Sequence, residues 1–329
     1  MATIAFIGLG RMGLPMCARL AAAGYQLTAA DVRPQQEMAR RAGARWASSP
    51  AAAAAEADIV LTMLPGPGEV REAMTGAGGV LEAMRPGTIW LDTSSNSPAV
   101  GRELAEAAHA RGILTLDAPV GGGIAAAHDG KLHLFVGGDT AVLERCRPVL
   151  EALAARITHL GGDGAGYTAK LLVNLLWFTQ ALATAEALLL ARRAGMNVDI
   201  LRAGLAESAA SSTFVREDLG SLLDGDYLTT FGLDRCCEEL AEITALAREL
   251  NVPNDLARHV ESTYQRALRR FGPIDGELLG VALLEEQAGL RLRHESRERA
   301  GPGTTPPGLS GRPWVARTES GPKEMTAHG

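Results

Sequence analysis

The chain has 329 residues, enough for two domains with proper cores. A formal charge of -6, with no Lys/Arg cluster outside ordinary helix faces, argues against a general nucleic-acid binder. The four cysteines, Cys17, Cys146, Cys236 and Cys237, show neither metal-ligand nor redox spacing, and the seven histidines are scattered, so no metal site is expected and a reduced, cytoplasmic compartment fits.

The opening Met-Ala-Thr-Ile-Ala-Phe-Ile-Gly reads as a strand, since it lacks the basic start and cleavage site of a secretion signal. Thr3 to Ile7 stops at Gly8-Leu9-Gly10-Arg11-Met12-Gly13, and Leu14 to Ala23 then reads as a helix. Gln26 to Ala30 makes a second strand ending at Asp31. A G-x-G-x-x-G run placed between strand and helix, with an acid at the end of the next strand, is a dinucleotide-binding signature. Gly8 allows the tight turn, Gly10 lets the backbone approach a pyrophosphate, and Gly13 lets the helix pack close to the sheet. The pyrophosphate would sit on the helix N-terminus, where free N–H groups and the dipole favour an anion. Asp31 suits ribose hydroxyls and so favours NAD; Arg33, two residues on, leaves NADP open.

The alternation continues with strands at Asp58 to Leu64, Thr88 to Leu91 and Ile113 to Leu116, separated by helices such as Arg102 to Arg111. The pattern implies an α/β Rossmann domain with a doubly wound parallel sheet, whose ligands lie outside the carboxyl ends of the strands. The loops beginning at Leu64-Pro65, Asp92 and Asp117 are therefore expected around the cofactor. Leu132 to Val136 reads as the last strand, followed by a helix from Thr140 to Leu153. After the glycine-rich Gly161 to Gly164 everything reads as helix, which sets a dinucleotide-binding domain at 1–162 and an all-helical domain at 163–293. Later helices are expected at Val198 to Ala206, Leu233 to Leu250, Asp255 to Arg270 and Gly276 to Arg293, with Asp275 as an N-cap. From His294 the composition turns to Gly, Pro, Ser, Thr and charge, so 294–329 is expected to be a disordered tail.

The helical part opens with a long apolar helix running from Gly164 to Ala194, apolar almost all round as in an enclosed helix. Leu171 to Ala191 is long enough to span a membrane, but Asn174, Gln180 and Glu186 would each be costly in hydrocarbon. Lys170 and Asn174, four residues apart, share one face. A desolvated ammonium has a lowered pKa suited to proton transfer. From this stretch alone Lys170 reads equally as a catalytic group or as a solvated residue of the first turn.

Four blocks in order carry a resemblance: Gly8-Leu-Gly-Arg-Met-Gly13 with Asp31; Asp92-Thr-Ser-Ser-Asn-Ser-Pro98; Asp117-Ala-Pro-Val-Gly-Gly-Gly123 with Gly130; and Gly164-x-Gly166-x-x-x-Lys170-x-x-x-Asn174. From Met1 to about Arg293 the chain resembles the β-hydroxyacid dehydrogenases. The resemblance implies a hydride transfer between NAD(P) and a small 3-hydroxy acid, or a related alcohol or semialdehyde. It makes Lys170 the catalytic lysine and Asn174 a substrate-orienting amide. Ser95 would contact the nicotinamide end of the cofactor, Gly121, Gly122 and Gly123 would hold the substrate carboxylate, and the helical domain would build a homodimer or homotetramer.

Two positions depart from the family pattern. Gly121 stands where a serine is usual, which deletes a hydroxyl from the carboxylate pocket and leaves room for a bulkier substrate. Glu238-Glu239-Leu240 stands where a Lys-Asp-Leu is frequent, and Arg235, three residues earlier, is the candidate replacement cation. An imine reductase of the same architecture is the alternative enzyme, which Lys170 disfavours; a non-catalytic nucleotide-binding module is the alternative outside enzymes.

Overall fold

In the computed structural model, residues 2–293 are described, so the expected tail lies outside the described residues. The chain forms two compact units, Met1–Leu175 with Glu242–Pro253, and Leu176–Ala241 with Asn254–Gly329.

The first unit is built on nine strands: β1 (Thr3–Ile7), β2 (Gln26–Ala30), β3 (Arg45–Trp46), β4 (Ile59–Thr62), β5 (Ile89–Asp92), β6 (Leu114–Asp117), β7 (Val120–Gly121), β8 (Leu132–Gly138) and β9 (Ala154–Gly161). Their order is β3-β2-β1-β4-β5-β6-β8-β7, with β9 on β8. The first six are parallel, and the winding reverses between β1 and β4, the place at whose carboxyl ends doubly wound sheets bind their ligands. Every residue of β4 and β5 is buried, as expected for strands covered on both faces. One face packs Phe6, Met16, Leu91, Leu116 and Leu134; the other packs Ile7, Val60, Trp90 and Leu104. Register places Thr62 beside Asp92, and Asp92 beside Asp117, so three polar groups stand in a row at the strand ends.

Three strands escape the sequence reading. β3 and β7 have two residues each, too few for any periodicity. β9 corrects the expectation that β8 is last: it is an edge strand whose residues are mostly exposed, so it lacks the apolar run that marks its neighbours.

The second unit is helical among its described residues, with Val198–Ala206, a π-turn at Phe214–Asp218, Leu219–Leu223, Asp255–Phe271 and Leu279–Ala288. Its centre is aromatic: Phe178 meets Tyr264 edge-on at 4.9 Å between centroids, and Trp177 meets Phe214 at 5.6 Å. Trp177 Nε1 donates to Asp218 Oδ2 at 2.7 Å, so the indole is core and its polar atom is satisfied. The last helix is shorter than expected, because Gly276 at φ +151° precedes it and Gly289, left-handed at φ +62°, ends it. Asp275 caps no helix and instead bridges to Gly232. Glu285 is buried and accepts from the Tyr227 hydroxyl and from Leu292 N at 2.6 Å; burial pushes its carboxyl above the usual range.

The long helix is Ala165–Arg193. It is the one helix among the described residues long and apolar enough to cross a membrane. It is not enclosed within this chain: Leu172, Leu176 and Leu190 are 48%, 60% and 73% exposed.

Candidate active site

The glycine turn between β1 and the Gly13–Ala22 helix is sterically dictated. Gly8 sits at φ +101°, and a Cβ there would stand 2.3 Å from the Met63 carbonyl; a Cβ on Gly13 would stand 1.9 Å from the Gly8 carbonyl. Gly10 differs, since a Cβ there would meet nothing within 4 Å. The space before the turn is open, and the helix begins without a side-chain cap or an acidic residue in its first turn. Those features suit a pyrophosphate, held by backbone N–H groups from Gly10 to Gly13. Asp31 has a role the sequence reading missed: its Oδ2 accepts from Leu9 N at 2.8 Å and its Oδ1 from Arg33 N at 2.9 Å. It braces the turn from β2. The Arg33 side chain is 70% exposed, with Nε 3.6 Å from Asp31 Oδ1.

The other strand ends are tied together. Leu64, after β4, lays its side chain over Gly8 and donates its N–H to Ser94 Oγ at 2.9 Å; Pro65 beside it is exposed. Asp92 at the end of β5 is buried and accepts from Thr62 Oγ1 at 2.7 Å, Ser94 N at 3.0 Å, Asn96 Nδ2 at 3.2 Å and the Tyr167 hydroxyl at 2.6 Å. In the run Asp92 to Pro98, Ser95 alone is not buried. Asp117, at the end of β6, accepts from Gly164 N at 2.8 Å and Tyr167 N at 3.0 Å. Burial raises its carboxyl to about 6, against the pull of the N–H groups of Gly164, Tyr167 and Gly166. A Cβ on Gly166 would stand 2.2 Å from the Phe135 carbonyl, so glycine alone allows the helix to start this close to β8.

Lys170 and Asn174 follow within the next turns of that helix, both half-buried. Gly121 pairs with His133 of β8, and a Cβ there would find the Phe135 ring at an ordinary 3.4 Å. Nothing steric demands glycine at that position. Gly122 and Gly123 are left-handed, at φ +109° and +70°, and form the turn that follows β7. The His128 side chain is 81% exposed, beside Asp129. Arg235 lies in the second unit, paired with Glu238 at 2.8 Å, and Glu238 is 52% exposed, as a surface helix residue would be. A cavity of about 380 Å³ lined by His109, Thr115, Asp139 and Arg145 also includes Leu114, the opposite end of β6 from Asp117, so it is not the nucleotide crevice.

Residues 3–161 match the NAD-binding domain of 6-phosphogluconate dehydrogenase, and residues 164–279 match the family described as NAD-binding of NADP-dependent 3-hydroxyisobutyrate dehydrogenase. A probable 3-hydroxyisobutyrate dehydrogenase of Mycobacterium bovis is 43% identical over 202 residues, 61% of this chain and 68% of the relative. The chain belongs to the β-hydroxyacid dehydrogenase family. A NAD-dependent L-serine dehydrogenase of Pseudomonas aeruginosa is 42% identical over 61% of this chain and 68% of its own length. The solved structure of Mycobacterium tuberculosis 3-hydroxyisobutyrate dehydrogenase with L-serine superposes with a TM-score of 0.80 at 33% identity, covering 86% of this chain and 99% of that one. This β-hydroxyacid dehydrogenase is an NAD(P)-dependent oxidoreductase acting on CH–OH groups, with a Rossmann domain followed by a helical one.

Proposed function

We propose that the protein interconverts a small 3-hydroxy acid, or a related alcohol or semialdehyde, with its oxidised partner, using Lys170 as general acid and base. One observation carries the reading. The turn bearing Lys170 and Asn174 starts where Asp92 and Asp117 hold it, at the carboxyl ends of β5 and β6, on the edge where a doubly wound sheet binds its ligands. On this reading residues 1–162 form the nucleotide domain and 163–293 the substrate and dimerisation domain.

NAD(P), when bound, supplies the site that accepts or returns hydride. Gly8 to Gly13 would hold its pyrophosphate, and Leu64, Pro65 and Ser95 would flank its nicotinamide end. Asp31 would favour NAD through the ribose hydroxyls, while the exposed Arg33 leaves NADP accessible. In the oxidative direction Lys170 takes the hydroxyl proton; in the reductive direction it returns one. Its ammonium form also opposes the charge of a developing alkoxide. Asn174 orients the substrate, and the N–H groups of Gly121 to Gly123 hold its carboxylate without a full positive charge. The space beside Gly121, walled by the Phe135 ring edge, suits a substrate bulkier than the smallest hydroxy acids. Arg235, already neutralised by Glu238, is the weakest member of the proposed substrate set.

The exposed leucines of the long helix lie at positions 172, 176 and 190, close to one helical face, and a second copy of the chain is the proposed cover. All four cysteines are buried and free, which suits a reducing cytoplasm. The deciding experiment follows NADH absorbance across a panel of hydroxy acids, including branched ones, with both NAD and NADP. Lys170→Ala should lower kcat about 10²- to 10⁴-fold while NADH still binds. Unchanged turnover in that variant would sink the general acid/base role, and tight NADH binding with no turnover of any substrate would mark a binding module instead.

A further inference from the structure

We propose that Tyr167 is a positioning residue for Lys170, its hydroxyl fixing the lysine-bearing turn to the loop that carries Ser95. The inference rests on the Lys170 reading above. Tyr167 precedes Lys170 by three residues, so the two are neighbours about one turn apart on the same helix. Its ring is 3% exposed, and its hydroxyl donates to Asp92 Oδ2 at 2.6 Å. The same carboxyl group accepts from Ser94 N at 3.0 Å and from Asn96 Nδ2 at 3.2 Å, the two residues that flank Ser95. One buried carboxyl group therefore joins the lysine helix to the serine loop. Thr62 ties the same group to β4, and Trp90 Nε1 donates to Thr62 Oγ1 at 3.0 Å, which leaves the threonine proton for Asp92.

Packing does not explain the hydroxyl. The ring lies where Gly101 has no side chain: a Cβ at 101 would stand 2.2 Å from Tyr167 Cε2. Phenylalanine would fill that place equally, without the need to satisfy a buried phenol. Burial and the adjacent Asp92 push the phenol well above its usual range, so it stays protonated and stays a donor. The bonds to Asp117 hold only the backbone, at Gly164, Gly166 and Tyr167. The hydroxyl of Tyr167 adds a side-chain anchor to the neighbouring strand end, β5, and so fixes the register of the turn against the Ser95 loop. Proton transfer timed with hydride transfer is sensitive to displacements of about 1 Å, which such an anchor restrains.

Tyr167→Phe in the full chain tests this. The expected result is a kcat lowered about ten- to a hundredfold, with KM and the NADH dissociation constant, read by fluorescence titration, within about twofold of the parent. The primary deuterium isotope effect from substrate labelled at the carbinol carbon should rise, because the chemical step becomes limiting. In a Lys170→Ala background the same change should cost nothing more, since residues acting as a unit are not additive. A parental kcat and isotope effect in Tyr167→Phe, or a loss that multiplies with that of Lys170→Ala, overturns the proposal. Should Tyr167→Phe fail to fold, Asn96→Ala removes another donor to the same carboxyl group and carries the same expectation. If Lys170→Ala keeps full turnover, the reading of the lysine itself falls; if Lys170→Ala is inactive and Tyr167→Phe is normal, only the inference about Tyr167 falls.

Discussion

The two ends of the long helix are held by different kinds of interaction. From Ala165 to Leu175 it belongs to the first unit, and its start is fastened by hydrogen bonds to two buried carboxyl groups, Asp92 and Asp117. From Leu176 onward it belongs to the second unit, where ring packing of Trp177 and Phe178 against Phe214 and Tyr264 is joined by hydrogen bonds from Trp177 Nε1 to Asp218 and from Arg193 to the Ala288 carbonyl. Hydrogen bonds are directional and set a position to a fraction of an ångström; apolar packing is stronger in sum and less particular about register. The end that carries Lys170 is set by the directional kind, through buried carboxyl groups, where the other part adds a packed cluster of rings.

The largest effect that would test this contrast comes from the packed end. Phe178→Ala removes a ring that is 2% exposed and should destabilise the protein by about 3–5 kcal/mol in chemical denaturation followed by circular dichroism. A loss below about 1 kcal/mol would mean that the second unit is not organised by its rings. Asp117 tests the polar end through pH. Its folded value of about 6 lies above the unfolded value of 3.8, so the fold binds the proton more tightly than the unfolded chain does. The stability it contributes is fully present below 3.8 and is lost as pH rises through about 6. The stability advantage of the parent over Asp117→Asn should accordingly shrink by about 2 kcal/mol between pH 4 and pH 7. A difference that stays flat, or grows with pH, would show that the three N–H donors outweigh burial. The smallest effect is local: Asn197 Oδ1 accepts from Asp199 N at 2.9 Å and Ile200 N at 3.0 Å at the start of the Val198–Ala206 helix. Asn197→Ala should lower the denaturation free energy by about 1 kcal/mol without changing turnover.

The parallel sheet was legible because its strands are buried on both faces and appear as unbroken apolar runs, and its glycine turn because only glycine meets the steric demands at Gly8 and Gly13. β3, β7 and β9 were not, being too short or too exposed to carry a period. In the candidate site the blocks around Asp92, Asp117 and Lys170 stood out, but Asp92 and Asp117 read as loop starts, with no sign that they anchor a helix. Tyr167 carried no signal at all, since a tyrosine in an apolar helix looks like core until its hydroxyl is seen to reach Asp92. The exposed leucines on the long helix were equally hidden, because composition does not distinguish a helix enclosed by its own chain from one open along a face.

Local rules, those of turn sterics, strand burial and helix periodicity, act between residues close in the chain, and they sufficed to reveal the Rossmann order, the nucleotide turn and the candidate lysine. The joining of Thr62, Asp92, Asp117 and Tyr167 spans up to 105 residues and depends on strand register, which brings β4, β5 and β6 level at their ends. Only the folded sheet decides that alignment, because which strands lie side by side is set by packing of the whole domain and not by any stretch within it.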